Sequence, residues 1–151
     1  MIGVNILEEL IKILDSNLTL KSTEIIEDTI YLHVESVLPE VECPYCGTKS
    51  ARVHSRYVRD FQDLPIQNMK TIIVLNNRKL FCDNPDCTHR TFAEPFSFIK
   101  PKSKKTERLI EEIINLSKSV SSVSAQEFLR KNVVKVGKST ICELLKKGRK
   151  L

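Results

Sequence analysis

The chain of 151 residues lacks any apolar run approaching the ~18 residues that a membrane-crossing helix needs, which excludes a span of that kind. Its opening, Met1-Ile2-Gly3-Val4-Asn5, lacks the basic start and cleavage pattern of a secretory leader, so a cytosolic (cytoplasmic) protein is expected. Acidic residues are scattered and form no constellation suited to two-metal chemistry. A phosphate-binding loop is excluded as well: Gly137-Lys138-Ser139-Thr140 resembles the end of one, but the first glycine of that motif would fall at Asn132, and no strand feeds it. No catalytic residue and no small-molecule substrate are therefore expected. Cysteine is scarce, with five in all, and four of the five stand in two close pairs.

The first pair is Cys43-Pro44-Tyr45-Cys46-Gly47 and the second is Cys82-Asp83-Asn84-Pro85-Asp86-Cys87. Two thiolates on a tight turn can face one metal ion, and two such turns complete a tetrahedron of soft ligands, which suits zinc. Gly47 fits a turn through positive φ, and Asn84 and Pro85 are turn formers. Cys43, Cys46, Cys82 and Cys87 are thus the expected ligands of a structural zinc, since four protein sulfurs leave no open position for water. Two disulfides are the plain alternative, disfavoured in the cytosol. A redox Cys-x-x-Cys at Cys43 and Cys46 would leave the second pair unexplained. His89, two residues past Cys87, could replace one cysteine.

Net charge is +5, unevenly spread. Residues 1–42 carry net −7 and residues 43–151 carry net +12. A basic portion that bears the cysteines is the footprint of a nucleic-acid binder, although a solvated basic surface looks the same by charge alone.

Along the chain, residues 5–15 read as an amphipathic helix capped by Asn5, with Ile6, Leu7, Leu10, Ile11 and Leu14 on its apolar face. Residues 18–38 read as extended, with Ile30, Leu32 and Val34 alternating with polar neighbours. Strands are expected at 51–59 and 70–82, with a turn at Asp63-Leu64-Pro65 between them. Arg56, Arg59 and Arg78 on this piece could contact phosphates or only keep it soluble. Phe92, Phe96 and Phe98 anchor the exit, and Lys100-Pro101-Lys102-Ser103-Lys104-Lys105 reads as a basic linker.

Residues 106–149 read as three helices. The first is capped by Thr106 or Ser103, with Leu109, Ile110, Ile113, Ile114 and Leu116 on its apolar face. A serine-rich break at 117–124 precedes a short helix at 125–131 with Phe128 and Leu129 inward. A turn at 133–137 leads to a third helix at 138–147 with Ile141, Leu144 and Leu145 inward. This order fits a helix-turn-helix, in which the last helix enters the major groove of double-stranded DNA. Lys138, Ser139 and Thr140 would then approach bases, and Lys146, Lys147 and Arg149 the backbone. A small bundle without DNA function is the alternative. Cys142, mid-helix, reads as a small buried residue.

With these residues in view, the chain resembles the N-terminal part of ISL-three family transposases of bacterial insertion sequences. The resemblance rests on Cys43-Pro44-Tyr45-Cys46-Gly47, His54-Ser55-Arg56-Tyr57 with Arg59, Asp63-Leu64-Pro65, Arg78-Lys79-Leu80-Phe81-Cys82 and Thr91-Phe92-Ala93-Glu94. It implies a zinc finger and a helix-turn-helix that together recognise the terminal inverted repeats of the element. In full-length members an RNase H-like catalytic domain follows, which this chain is expected to lack, so no enzyme activity is expected of it alone. Self-association, as synapsis requires, is the rival role for the zinc ribbon and the acidic N-terminus. The expected architecture is α+β. A zinc-ribbon-like β module with an N-terminal helix occupies 1–99, a linker 100–105, and a three-helix helix-turn-helix unit 106–151.

Overall fold

The computed structural model describes residues 6–120, 122–132 and 137–148. Among the described residues the architecture is mixed α+β, with four helices, a five-stranded sheet and a separate two-stranded one.

Helix α1 covers Ile6–Leu14, with Glu8 and Glu9 in its first turn and Lys12 in its last, as the helix dipole favours. The expected cap Asn5 lies outside the described residues. Only Ile11 of the expected apolar face is fully buried, flanked by half-buried Leu7 and Leu14, while Ile6, Leu10 and Ile13 stand exposed. The covered stripe is thus Leu7–Ile11–Leu14, at i, i+4 and i+7. Glu8 fixes this choice. Its carboxylate accepts from the Thr19 hydroxyl at 2.8 Å and the Leu20 amide at 2.9 Å on the next strand. The Leu20 amide and the Thr19 hydroxyl hold the Glu8 carboxyl below the usual carboxylate range.

Strands β1 (Leu18–Ile26) and β2 (Thr29–Ser36) form a hairpin whose turn is opened by Glu27 at φ 55. Leu32 and Val34 are buried, as the alternation predicts. Short strands β3 (Val41–Glu42) and β4 (Lys49–Ser50) pair as the two-stranded sheet. Strands β5 (Val53–Ile66) and β6 (Met69–Phe81) form a long hairpin, and the sheet order is β1-β2-β6-β5. Strand β7 (Thr91–Ala93) pairs antiparallel with the end of β6, Leu80 opposite Phe92.

The expected turn at Asp63-Leu64-Pro65 is not a turn. These residues lie inside β5, and the chain reverses at Gln67 and Asn68, at φ 51 and 64. Positive φ at both central residues suits the twist of a two-residue hairpin loop. Pro65 lies on an edge strand of the sheet, the strand position where proline is most readily accommodated.

Helices α2 (Glu107–Ser119), α3 (Ser122–Asn132) and α4 (Lys138–Gly148) pack on one another around buried Leu109, Ile113, Ala125, Leu129 and Ile141. Leu116, Leu144 and Leu145 close this core. Thr106 is the N-cap of α2, its hydroxyl accepting from the Leu109 amide. The serine-rich stretch does not break the helices where expected: α2 continues to Ser119 and α3 begins at Ser122. Ser117 is accommodated because its hydroxyl donates to the Ile113 carbonyl at 2.6 Å, four residues back. Phe128, expected inward, is 49% exposed, while its neighbour Leu129 takes the core position. Residues 133–136 of the turn before α4 lie outside the described residues.

The chain divides into two compact units. One comprises residues 1–24, 31–60 and 73–98, and the other residues 25–30, 61–72 and 99–151. The tip of the β5–β6 hairpin therefore belongs to the helical unit. Within that unit Gln62 pairs with Lys105, donates its amide to the Lys104 carbonyl at 2.9 Å, and accepts from the Thr106 amide at 3.0 Å. Residues 104–106 are accordingly held to β5 rather than hanging as a loose linker.

Candidate metal centre

The β3–β4 hairpin presents the first cysteine pair. Cys43 follows β3 directly, its amide donates to the Thr48 carbonyl at 2.9 Å, and its carbonyl accepts from Gly47 at 2.8 Å. Gly47 takes φ 80, and a Cβ there would meet nothing within 4 Å. Glycine is thus required by backbone conformation and not by space. The second pair begins where β6 ends. The Cys82 amide donates to the Arg90 carbonyl at 2.8 Å, and the Cys87 amide to the Asn84 carbonyl at 3.1 Å. The Asn84 side chain accepts from the Asp86 amide at 3.0 Å, an Asx turn that folds the segment between the two sulfurs.

All four sulfurs lie within 4.8 Å of one another. Cys43 and Cys87 are 3.9 Å apart and Cys46 and Cys82 are 3.5 Å apart. A tetrahedron with Zn–S bonds of about 2.3 Å has edges of about 3.8 Å, so the spacing fits one zinc ion. It does not fit disulfides, whose S–S bond is about 2.05 Å. The centre is a closed four-sulfur site, as a structural zinc requires.

Polar groups around the sulfurs prepare them unequally. The hydroxyl and amide of Thr48, helped by the Asn84 side chain, donate towards Cys46 and hold its thiol down to about 6. The Asn84 amide favours the Cys82 thiolate, but burial and the crowded sulfurs of Cys46, Cys43 and Cys87 prevail and push that thiol up to about 12. Donation from the His89 amide favours the Cys87 thiolate, but burial and the sulfurs of Cys46 and Cys43 prevail and leave that thiol raised. Four thiolates this close repel one another until a cation joins them.

His89 is not among the clustered ligands. Its ring stacks on Tyr45 with centroids 3.5 Å apart, its Nδ1 is 2.9 Å from the Thr88 hydroxyl, and its amide donates to Cys87 Sγ at 3.4 Å. The stack ties the first cysteine turn to the second. Spacing gave no hint of it, nor of Thr48 and Asn84 as sulfur partners. Arg52, just before β5, lies over the Phe81 ring at 4.3 Å and pairs with Asp83, bracing the second turn. Hydrophobic support comes from Val41, Leu80 and Phe92, packed with Cys43 and partly buried Leu38.

The residues expected to face DNA are placed very differently from one another. Arg56 is exposed on β5. Arg59 is half-buried, its guanidinium 3.4 Å from the Asn77 side-chain oxygen. Arg78, expected either to contact phosphates or only to keep the piece soluble, is 8% exposed. It donates twice to Glu94, at 2.9 and 2.8 Å, and also to the Ser36 hydroxyl and the Leu38 carbonyl. Its guanidinium is consumed inside the fold. On α4, Lys138 and Ser139 are exposed at the first turn, Thr140 is half-buried, and Lys146 and Lys147 are exposed at the last. Lys147 pairs with Glu143 at 3.8 Å, a surface pair of small energetic weight. Arg149 lies outside the described residues. Cys142 is half-buried rather than core. Among the described residues no helix is long and apolar enough to cross a membrane.

No curated protein and no solved structure matches the chain. Residues 39–87 match the family model of the zinc-finger of transposase IS204/IS1001/IS1096/IS1165, a stretch that contains all four clustered cysteines, so the chain carries a structural zinc-binding module similar to a transposase zinc finger.

Proposed function

We propose that this chain is the DNA-binding part of a transposase and that it recognises the terminal inverted repeats of an insertion sequence. Cys43, Cys46, Cys82 and Cys87 hold one structural zinc. Helices α3 and α4 act as a helix-turn-helix with α4 in the major groove. The observation that carries this reading is the four-sulfur cluster inside a stretch that resembles a transposase zinc finger. The exposed start of α4 supports it, since Lys138 and Ser139 are exposed in the first turn, the part of a recognition helix that would contact bases. Lys146 and Lys147, exposed one end further on, suit the phosphate backbone. In this proposal residues 1–99 and 106–151 act together on one DNA site, in the cytoplasm, and cleavage belongs to a separate catalytic domain.

The test is binding of the full chain to terminal-repeat and scrambled duplexes at two salt concentrations. Lys138→Ala should weaken repeat binding by roughly 1–3 kcal/mol and leave scrambled DNA nearly unchanged. Lys147→Ala should weaken both alike and flatten the salt dependence by about one unit. A uniform loss from both variants would remove α4 as the reading helix.

A second reading, self-association into a homo-oligomer, is favoured by the exposed apolar side chains Ile6, Leu10 and Ile13 on α1. A mass that rises with concentration in analytical ultracentrifugation, and falls in Leu10→Glu, would support it.

A further inference from the structure

Segment 100–105 is more ordered than a linker and lines a groove in the helical unit. The other walls are Ile110 and Ile114 of α2, and Thr140, Leu144 and Lys147 of α4. Thr140, Leu144 and Lys147 are spaced i, i+4, i+7, so the groove runs along one face of α4. Its apolar floor carries a cationic rim.

The lysines of that rim are held in place by the backbone. Ser103 closes a β-turn by donating its amide to the Lys100 carbonyl at 3.1 Å. Its hydroxyl then donates to the Lys105 carbonyl at 2.8 Å and accepts from the Lys105 amide at 3.2 Å. Gln62 fixes the far end at Lys104 and Lys105. Within the turn Pro101 sits at the second position, and Lys102 at the third takes φ 64. Turns with that pattern take glycine or asparagine at the third position, because a Cβ is strained there. A lysine at this point costs the fold something that a glycine would not, and its charge is what the glycine would lack.

The charges are also available. Lys100 pairs with Glu107 at 3.6 Å and Lys147 with Glu143 at 3.8 Å. Among the described residues Lys102, Lys104 and Lys105 have no acidic partner, and Lys102 and Lys104 are exposed. Glu107 and Glu111 are the acidic groups of the groove. Glu107 lies in the first turn of α2, where the helix dipole favours a carboxylate.

We propose that Lys102, Lys104 and Lys105 bind the sugar–phosphate backbone of duplex DNA beside α4, so that segment 100–105 is a second DNA-contacting element and not a spacer. The proposal rests on the DNA-binding reading above. Because the backbone of the segment is already fixed, the lysines lose less freedom on binding than they would on a loose tail.

The experiment uses the full chain and a random-sequence duplex, titrated between about 50 and 200 mM salt. Lys102→Gly should keep or raise the melting temperature, because it relieves the left-handed residue, and should reduce the salt slope by about 0.9. The triple variant Lys102→Gly, Lys104→Gln, Lys105→Gln should reduce it by about 2.7, equally on every sequence. Duplex should also slow tryptic cleavage at these lysines in the wild type. If the wild type binds duplex and the triple variant binds with the same affinity and slope, the groove proposal is overturned while the DNA-binding reading stands. If the wild type binds no duplex of any sequence, both fall.

Discussion

Asp63 on β5 and Arg108 on α2 form a fork-like ion pair across 45 residues of sequence, with Arg108 Nε 2.8 Å from Asp63 Oδ1. The same carboxylate oxygen accepts from the hydroxyl of Thr106, the cap of α2, at 2.7 Å. Asp63 is 2% exposed, while the Arg108 side chain is 41% exposed. One carboxylate thus sets where α2 begins and which way its first turn points. The Asp63 carboxylate raises the Arg108 guanidinium above its ordinary range.

Asp63→Ala should destabilise the helical unit by about 2 kcal/mol, at the lower end for a broken pair because Arg108 recovers solvent. Asp63→Asn should cost less, since an acceptor for Thr106 remains. Urea unfolding followed by helix signal measures both. Equal stability of wild type and Asp63→Ala would show that the pair does not hold α2.

Arg78 and Glu94 pair in the interior, where the β6–β7 register sets Lys79 opposite Ala93 and brings the next residues together. Arg78→Ala should cost about 3–5 kcal/mol, because a carboxylate whose side chain is 1% exposed is left without its partner. The double change Arg78→Met, Glu94→Leu should recover much of that loss, and it should leave the salt slope of DNA binding unchanged. Loss of one unit of slope in a folded double variant would return Arg78 to the DNA-contacting set.

The cysteine environment predicts a pH dependence. The zinc-bound fold needs thiolates, whereas unfolded cysteines keep their protons up to about pH 8.5. The folded state therefore binds fewer protons, so stability rises with pH and is lost as pH falls. Cys46 is the exception that ionises early, near 6, chiefly through Thr48. Thr48→Val should weaken zinc affinity, and the deficit should grow as pH is lowered from 8 to 6, because Cys46 loses its strongest thiolate donor and keeps only the Thr48 amide and the Asn84 side chain. Zinc competition titrations at the two pH values read this directly. A deficit independent of pH would mean that Thr48 acts on packing alone.

The metal centre was legible in the sequence because metal binding restricts residue type and spacing so tightly that Cys43, Cys46, Cys82 and Cys87 leave few other solutions. The supporting groups were not. Thr48 and Asn84 are ordinary turn residues until the sulfurs close around them. On α1, Ile6, Leu7, Leu10, Ile11, Ile13 and Leu14 fit two neighbouring stripes of a 3.6-residue period, and only tertiary contacts through Glu8 select Leu7–Ile11–Leu14. Pro65 reads as a turn former until its strand is seen to be an edge. Arg78 reads as surface by its charge, because its partner stands 16 residues away and is brought near by strand pairing. The three helices were legible from periodicity, but not that Phe128 would yield the core to Leu129.

The central claim is that one zinc ion on four sulfurs organises the module spanned by residues 43–87. Elemental analysis of purified wild type and Cys82→Ser, each with a folding measurement, tests it most directly. The account predicts one zinc per chain in the wild type, and no retained zinc together with loss of folded structure around β3, β4 and the end of β6 in the variant. A zinc-free wild type that is fully folded, or a Cys82→Ser chain that keeps both zinc and structure, would contradict it.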